Sequence, residues 1–191
     1  DFDALAALPG VAAIESRTTY FGEVRIGDRR EDLVLVGVRD FASQQVNVVE
    51  LQQGEVPSGD GVLSDAENAS SGRLKPGSVA TLQVEDNSGQ LHEVSLSGVG
   101  RTLQYSQEAF EGSVVLYASQ ETVNRIAGAR GVNSLEIRVD DPANALEVTR
   151  AVQEWLTTAH PEVVFPNLPD TRVAGSWPGQ DIFNNFSTLF Y

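Results

Sequence analysis

Residues 132–159 read VNSLEIRVDDPANALEVTRAVQEWLTTA, and the order of signals in this stretch decides the fold class. From Val132 to Val139 the side chains alternate. Asn133, Leu135, Ile137 and Val139 fall on one face, and Ser134, Glu136 and Arg138 on the other. A period of two is the signature of a half-buried strand. Asp141 then offers an N-cap, and Pro142 suits the first position of a helix. Val148, Val152, Trp155 and Ala159 recur at helical spacing, so one stripe of that helix should face a core, and Pro161 should end it. A strand that feeds directly into a capped, one-sided helix is a unit of sheet covered by helix.

The same unit stands upstream. Val114 to Tyr117 reads as a strand, Ser119 as the cap of a helix, and Gly128 as its stop after Ala127. At the start, Asp3 to Leu8 is a short helix stopped by Pro9-Gly10, and Val11 to Arg25 is extended. Gly27-Asp28 turns the chain into a buried strand at Leu33 to Val38, which completes a hairpin. Between these parts the chain reads as mostly β. Val46 to Leu51 is a strand, Gly54 to Gly61 a turn-rich connection, and Ser64-x-x-Glu67 a capping box opening a helix to about Ser71. Lys75-Pro76-Gly77 is a turn. Val79 to Glu85 and Leu91 to Val99 form a hairpin around Asp86-Asn87-Ser88-Gly89, with a slip of the pattern at Gly98 that predicts a bulge. Val163 to Phe165 is a last short strand. The class is α+β: a sheet with helices on one side, plus a β-rich insertion.

Composition narrows the function. The chain has 191 residues, enough for a core without staples. It has no cysteine, which removes disulfides and thiolate chemistry. Twenty-seven acids against 13 bases give a net charge of −14, which repels phosphate backbones and speaks against nucleic acid as a partner. No apolar run approaches the 20 or so residues of a membrane-spanning helix. Methionine is absent even at residue 1, so Asp1-Phe2-Asp3 reads as an internal point of a longer protein. After a connector at 171–179, Ile182, Phe183, Phe186, Leu189 and Phe190 recur at helical spacing. That stripe fits either a helix packed on the core or an aromatic approach to a membrane surface.

The residues that could carry chemistry are few. His92 lies inside a strand and His160 at a helix end, neither with a second histidine at metal-ligand spacing. Gly175-Ser176 lacks the strand that would deliver a nucleophile, and Gly98-Val99-Gly100 lacks the third glycine and helix of a phosphate loop. Carboxylates adjoin at Glu31-Asp32, Glu85-Asp86 and Asp140-Asp141, but sequence neighbours on a strand point apart. Asp86-Asn87-Ser88-Gly89 has the start of a calcium loop without its later bidentate Glu. Asn68-Ala69-Ser70 and Asn185-Phe186-Ser187 match the glycosylation sequon. No catalytic, cofactor-binding or metal-binding residue is expected, and no cofactor. A carboxylate hydrolase would need two acids converging in a cleft.

The series Leu8-Pro9-Gly10-Val11, Ile26-Gly27, Val36-Gly37-Val38, Gly54-Glu55-Val56-Pro57, Val62-Leu63-Ser64, Leu74-Lys75-Pro76-Gly77-Ser78-Val79, Leu96-Ser97-Gly98-Val99, Val115-Leu116-Tyr117 and Val139-Asp140-Asp141-Pro142 resembles the MacB-like periplasmic core domain of FtsX-type ABC transporter permeases. The resemblance covers about residues 3 to 168, with one departure at Ser78, where the family often has Gly-Asp. It implies an extracytoplasmic domain between the first two transmembrane helices of a bacterial permease, held at the cell membrane. The partners it implies are a cytoplasmic ATPase subunit, a second permease copy, and a substrate or protein outside the membrane. It implies a porter-like part at 1–45 and 113–170, an inserted β-rich part at 46–112, and a connector and juxtamembrane segment at 171–191. In that setting Phe183, Phe186 and Phe190 become candidate juxtamembrane contacts. The competing expectation is a free-standing secreted module that binds a ligand or a protein and tucks those aromatics into its own core.

Overall fold

The computed structural model describes residues 2–72, 74, 81–102 and 112–161. In chain order the elements are α1 (Phe2–Ala6), β1 (Val11–Ile26), β2 (Arg29–Val38), β3 (Glu50–Gly54), β4 (Gly61–Asp65), α2 (Ala66–Ser70), β5 (Thr81–Glu85), β6 (Leu91–Arg101), β7 (Val114–Ser119), α3 (Gln120–Ala127), β8 (Ser134–Val139), a 3-10 turn (Pro142–Asn144) and α4 (Ala145–Ala159). The class is the expected one: a large mixed sheet with helices on one side. The chain forms two compact units, residues 1–14 with 137–191, and residues 15–136.

In the larger unit the strands follow the order β2-β7-β4-β6-β5-β1, and β1 pairs again with β2. The hydrogen-bonded path therefore closes into a six-stranded ring. Closure follows from the length of β1. Its C-terminal half has β2 on one edge, from Thr18↔Gly37 to Ile26↔Arg29, and β5 on the other at Glu23↔Glu85, Val24↔Val84 and Arg25↔Gln83. Where β5 ends, other strands take over the freed edges: β8 beside β1 and β3 beside β6.

Two apolar clusters lie in this unit. One gathers Val24, Leu33, Leu35, Val62, Leu82, Val84, Val94, Leu116 and others from all six strands of the ring, with Val123 and Ile126 from α3. The other holds Val34, Val36, Val38, Val49, Leu63, Val115 and Tyr117. β2 and β7 supply alternate residues to both. They are parallel and buried on both faces, hence their unbroken apolar runs.

In the smaller unit, Asp141 accepts a hydrogen bond from the Ala143 N–H at 2.9 Å, and Pro142 opens the turn that leads into α4. The Asp140 N–H donates to the Gly10 carbonyl at 3.0 Å. The buried residues of α4 are Ala145, Val148, Val152 and Leu156.

The stripe of α4 runs through Leu156. Ala159 is exposed in the last turn, and Trp155, on the flank, is half-buried with its ring 5.7 Å from that of His160. The strand expected at Val46–Leu51 begins only at Glu50. The carbonyls of Val46 and Asn47 accept from the Arg17 guanidinium at 2.9 and 3.0 Å, and Asn47 has φ 46°. A left-handed residue and carbonyls committed to a side chain cannot form a ladder. Gly61–Asp65, read partly as connection and partly as helix cap, is the fully buried strand β4. Ser64 lies inside it, and Asp65 caps α2 by accepting from the Glu67 N–H at 2.9 Å. The bulge expected at Gly98 is present: Val62 faces Leu96 and Leu63 faces Gly98, so Ser97 is the extra residue.

Candidate functional site

The residues singled out for chemistry are held by structural bonds. Asp86 and His92 meet at the tip of the β5–β6 hairpin, because His92 faces Val84 across the ladder and so reaches the turn. The His92 Nε2 lies 2.8 Å from Asp86 Oδ2. The other oxygen, Oδ1, accepts from the Ser88 N–H, the Ser88 hydroxyl and the Gln90 N–H at 2.7–2.9 Å. The His92 contact, then the Ser88 hydroxyl, with the Gln90 and Ser88 amides adding to them, hold the Asp86 carboxyl well below the usual carboxylate range, against the opposing effect of burial. A carboxylate pulled down in this way is a poor general acid. With three donors on Oδ1 it builds the turn rather than a cation loop.

Glu85 is bound elsewhere. Its side chain reaches Arg25 at 3.4 Å and Arg30 at 3.0 Å, and Arg30 also pairs with Glu23. Tyr20 donates its hydroxyl to the Glu85 carbonyl at 2.8 Å. Burial, followed by the negative charges of Asp86, Glu85 and Glu23, raises its pKa. The adjoining acids at 31–32 and 140–141 divide similarly: Glu31 pairs with Arg29 at 3.1 Å, and Asp141 caps the 3-10 turn. His160 is the C-cap of α4 and donates its N–H to the Leu156 carbonyl at 2.8 Å. Among the described residues no group of three His, Asp or Glu could hold a metal ion.

Gly98 and Gly100 are packing residues of β6. A Cβ on Gly98 would lie 2.1 Å from the Gln53 carbonyl oxygen, and one on Gly100 2.9 Å from the Val49 side chain. Asn68, of the first sequon, is 2% exposed and donates to the Val115 carbonyl at 2.7 Å, which puts it out of reach of a glycan. Phe183, Phe186 and Phe190, Gly175-Ser176, the second sequon and the strand expected at 163–165 lie outside the described residues.

A pair missed in the sequence lies in the interior of the larger unit. Arg17 is 1% exposed and Glu136 7%, and Arg17 Nε sits 2.8 Å from Glu136 Oε2. The signal was there in principle, as an arginine inside the long extended stretch 11–25. Alternation alone put Glu136 on the polar face of its strand, and nothing local names its partner 119 residues away.

Among the described residues the large exposed apolar ones are Phe21, Val48, Leu51, Val56, Val132 and Leu146. All five residues of β3 are exposed. The described surface thus carries scattered apolar side chains.

No protein-family model matches the chain, and no curated protein matches it significantly. Solved structures do. The extracellular domain of the noncanonic ABC-type transporter YknZ from Gram-positive bacteria superposes with a TM-score of 0.57 at 13% identity, over 83% of this chain and 81% of that one. The periplasmic region of MacB from Actinobacillus actinomycetemcomitans gives 0.53 at 14%, over 83% of this chain and 72% of that one. The chain shares the fold of these two domains.

Proposed function

We propose that this chain is the extracytoplasmic domain of a bacterial ABC transporter permease of the MacB and FtsX type. Outside the membrane it would pass on motion that a cytoplasmic ATPase drives through the transmembrane helices. The observation that carries the reading is the shared fold over four-fifths of the chain with two such domains. The ordered motif series from Leu8 to Pro142 supports it independently of the fold. Under this reading residues 1–45 and 113–170 are the porter-like part, 46–112 the insertion, and 171–191 the connector with its aromatic stripe toward the membrane. A second permease copy and a substrate or protein outside the cell are the remaining partners. The domain itself supplies contact and movement, and ATP hydrolysis belongs to the ATPase.

The test uses the absence of cysteine from these 191 residues, with the full-length protein lacking the substitution as the labelling control. The natural full-length protein carrying Gln52→Cys, on exposed β3, is treated in intact cells with a membrane-impermeant maleimide. Labelling of cell-bound protein, together with co-purification of an ATPase, is expected. Labelled protein released into the medium would favour a free-standing binding module instead, and labelling only after lysis would end the proposal.

A further inference from the structure

The chain passes between its two compact units twice, at Ile14/Glu15 along β1 and at Glu136/Ile137 along β8. Arg17 and Glu136 stand on the larger unit's side of these crossings, one on each strand, and they bind each other. The guanidinium does more than pair. Its Nη2 takes the carbonyls of Val46 and Asn47, in the segment that leads into β3. One further bond ties that segment to β1: the Gln45 N–H donates to Glu15 Oε1 at 2.7 Å. Within the segment, the Gln44 side chain accepts from the Val49 N–H at 3.0 Å and closes it on itself. On β8's side, Asn133 brackets β1 with its side chain, accepting from the Thr19 N–H and donating to the Thr19 carbonyl.

Stability is a poor reason for this arrangement. Arg17 Nη1 and Glu136 Oε1 are buried without a hydrogen-bond partner, so the desolvation of both charges is only partly offset. An apolar pair of the same bulk would fill the space at least as well. What an apolar pair cannot do is hold two carbonyls and a carboxylate at once from one planar fork.

We propose that Arg17 and Glu136 form a latch. It ties the two crossing strands to each other and both of them to the segment 44–49, so that displacement of either strand at its crossing reaches the entry to β3. Arg17 acts as a positioning residue. The proposal rests on these bonds alone and holds whether or not the domain belongs to a permease.

The test compares two variants of the whole chain by thermal unfolding and by amide hydrogen exchange. In Arg17→Met/Glu136→Leu both charges are gone and the bulk is kept. The melting temperature should stay near the wild-type value, while the amides of Gln45 and Val49 lose protection by about ten-fold or more through local opening. In Arg17→Lys the charge pair survives without the fork, and the same two amides should again lose protection. Unchanged protection at Gln45 and Val49 in either variant overturns the latch. So does a double variant that melts far below the wild type, since that would make the pair a prop of the whole unit.

Discussion

Gly98 is held to glycine by backbone, not by a side chain that could move aside. A methyl there would meet the Gln53 carbonyl oxygen at 2.1 Å, and across the same ladder a Cβ on Gly54 would meet the Ser97 carbonyl oxygen at 2.2 Å. Neither strand can yield without opening the β3–β6 ladder. Gly98→Ala should therefore cost about 1–3 kcal/mol, the usual range for overpacking, read as a lower denaturant midpoint.

Asp86 ties stability to pH. Its folded pKa is depressed, chiefly by His92, so its contribution is complete above the ordinary carboxylate value of about 3.9 and is lost as pH falls toward the folded value. Asp86→Asn keeps an acceptor for the turn but not the charge. Melting curves should show wild type above the variant at pH 5, with the gap narrowing as pH falls below about 4. A gap that stays constant down to pH 2 would mean that the carboxylate charge contributes nothing.

Elements were legible where local chemistry decides them. α3 stands as read: Ser119 accepts from the Thr122 N–H, and Gly128 closes the helix at φ 64°. The β1–β2 turn and the Gly98 bulge were equally plain, because turns and pattern slips are local. β4 was not, since five buried residues after a glycine-rich stretch carry no alternation to betray a strand. The α4 stripe holds at Val148 and Val152 and departs only at its end, where Leu156 is buried in place of Trp155 and Ala159, which a substitution can check. Leu156→Ala should cost about 2–5 kcal/mol as a buried leucine, whereas Ala159→Ser, at an exposed site, should leave the midpoint within about 0.5 kcal/mol of wild type. Of the site, the sequence placed His92 inside a strand and Asp86 at the turn that precedes it, which is where the β5–β6 hairpin has them. It could not show Arg17 finding Glu136, because that contact exists only after the sheet has formed.

At the scale of the molecule the ring is as strong as its thinnest seam. Two seams have three facing pairs each, β1–β5 and β4–β7. β4 is buried throughout, while Thr81, Gln83 and Glu85 of β5 are at least partly open to solvent. The ring should thus open first between β1 and β5. Amides of Gln83 to Glu85 should exchange through an opening well below the global unfolding free energy, and those of Leu33 to Val38 only through global unfolding. Equal protection in both would show that the ring opens all at once. The closure was illegible in the sequence, since alternation reveals a strand but not its neighbours.

Between Thr18 and Arg25, β1 is paired with β2 along its whole length and shares its other edge with β5. Side chains on a strand alternate faces, so gaining or losing a single residue there would invert every following side chain against both neighbours at once. Lineages descending from this chain have little freedom to change length in that interval. The two-residue turn at Gly27-Asp28 is free of this restriction: nothing lies within 4 Å of where a Gly27 Cβ would be. New sequence, whether a natural insertion or an epitope tag, has its place there, at the end of the hairpin and outside the closed ring.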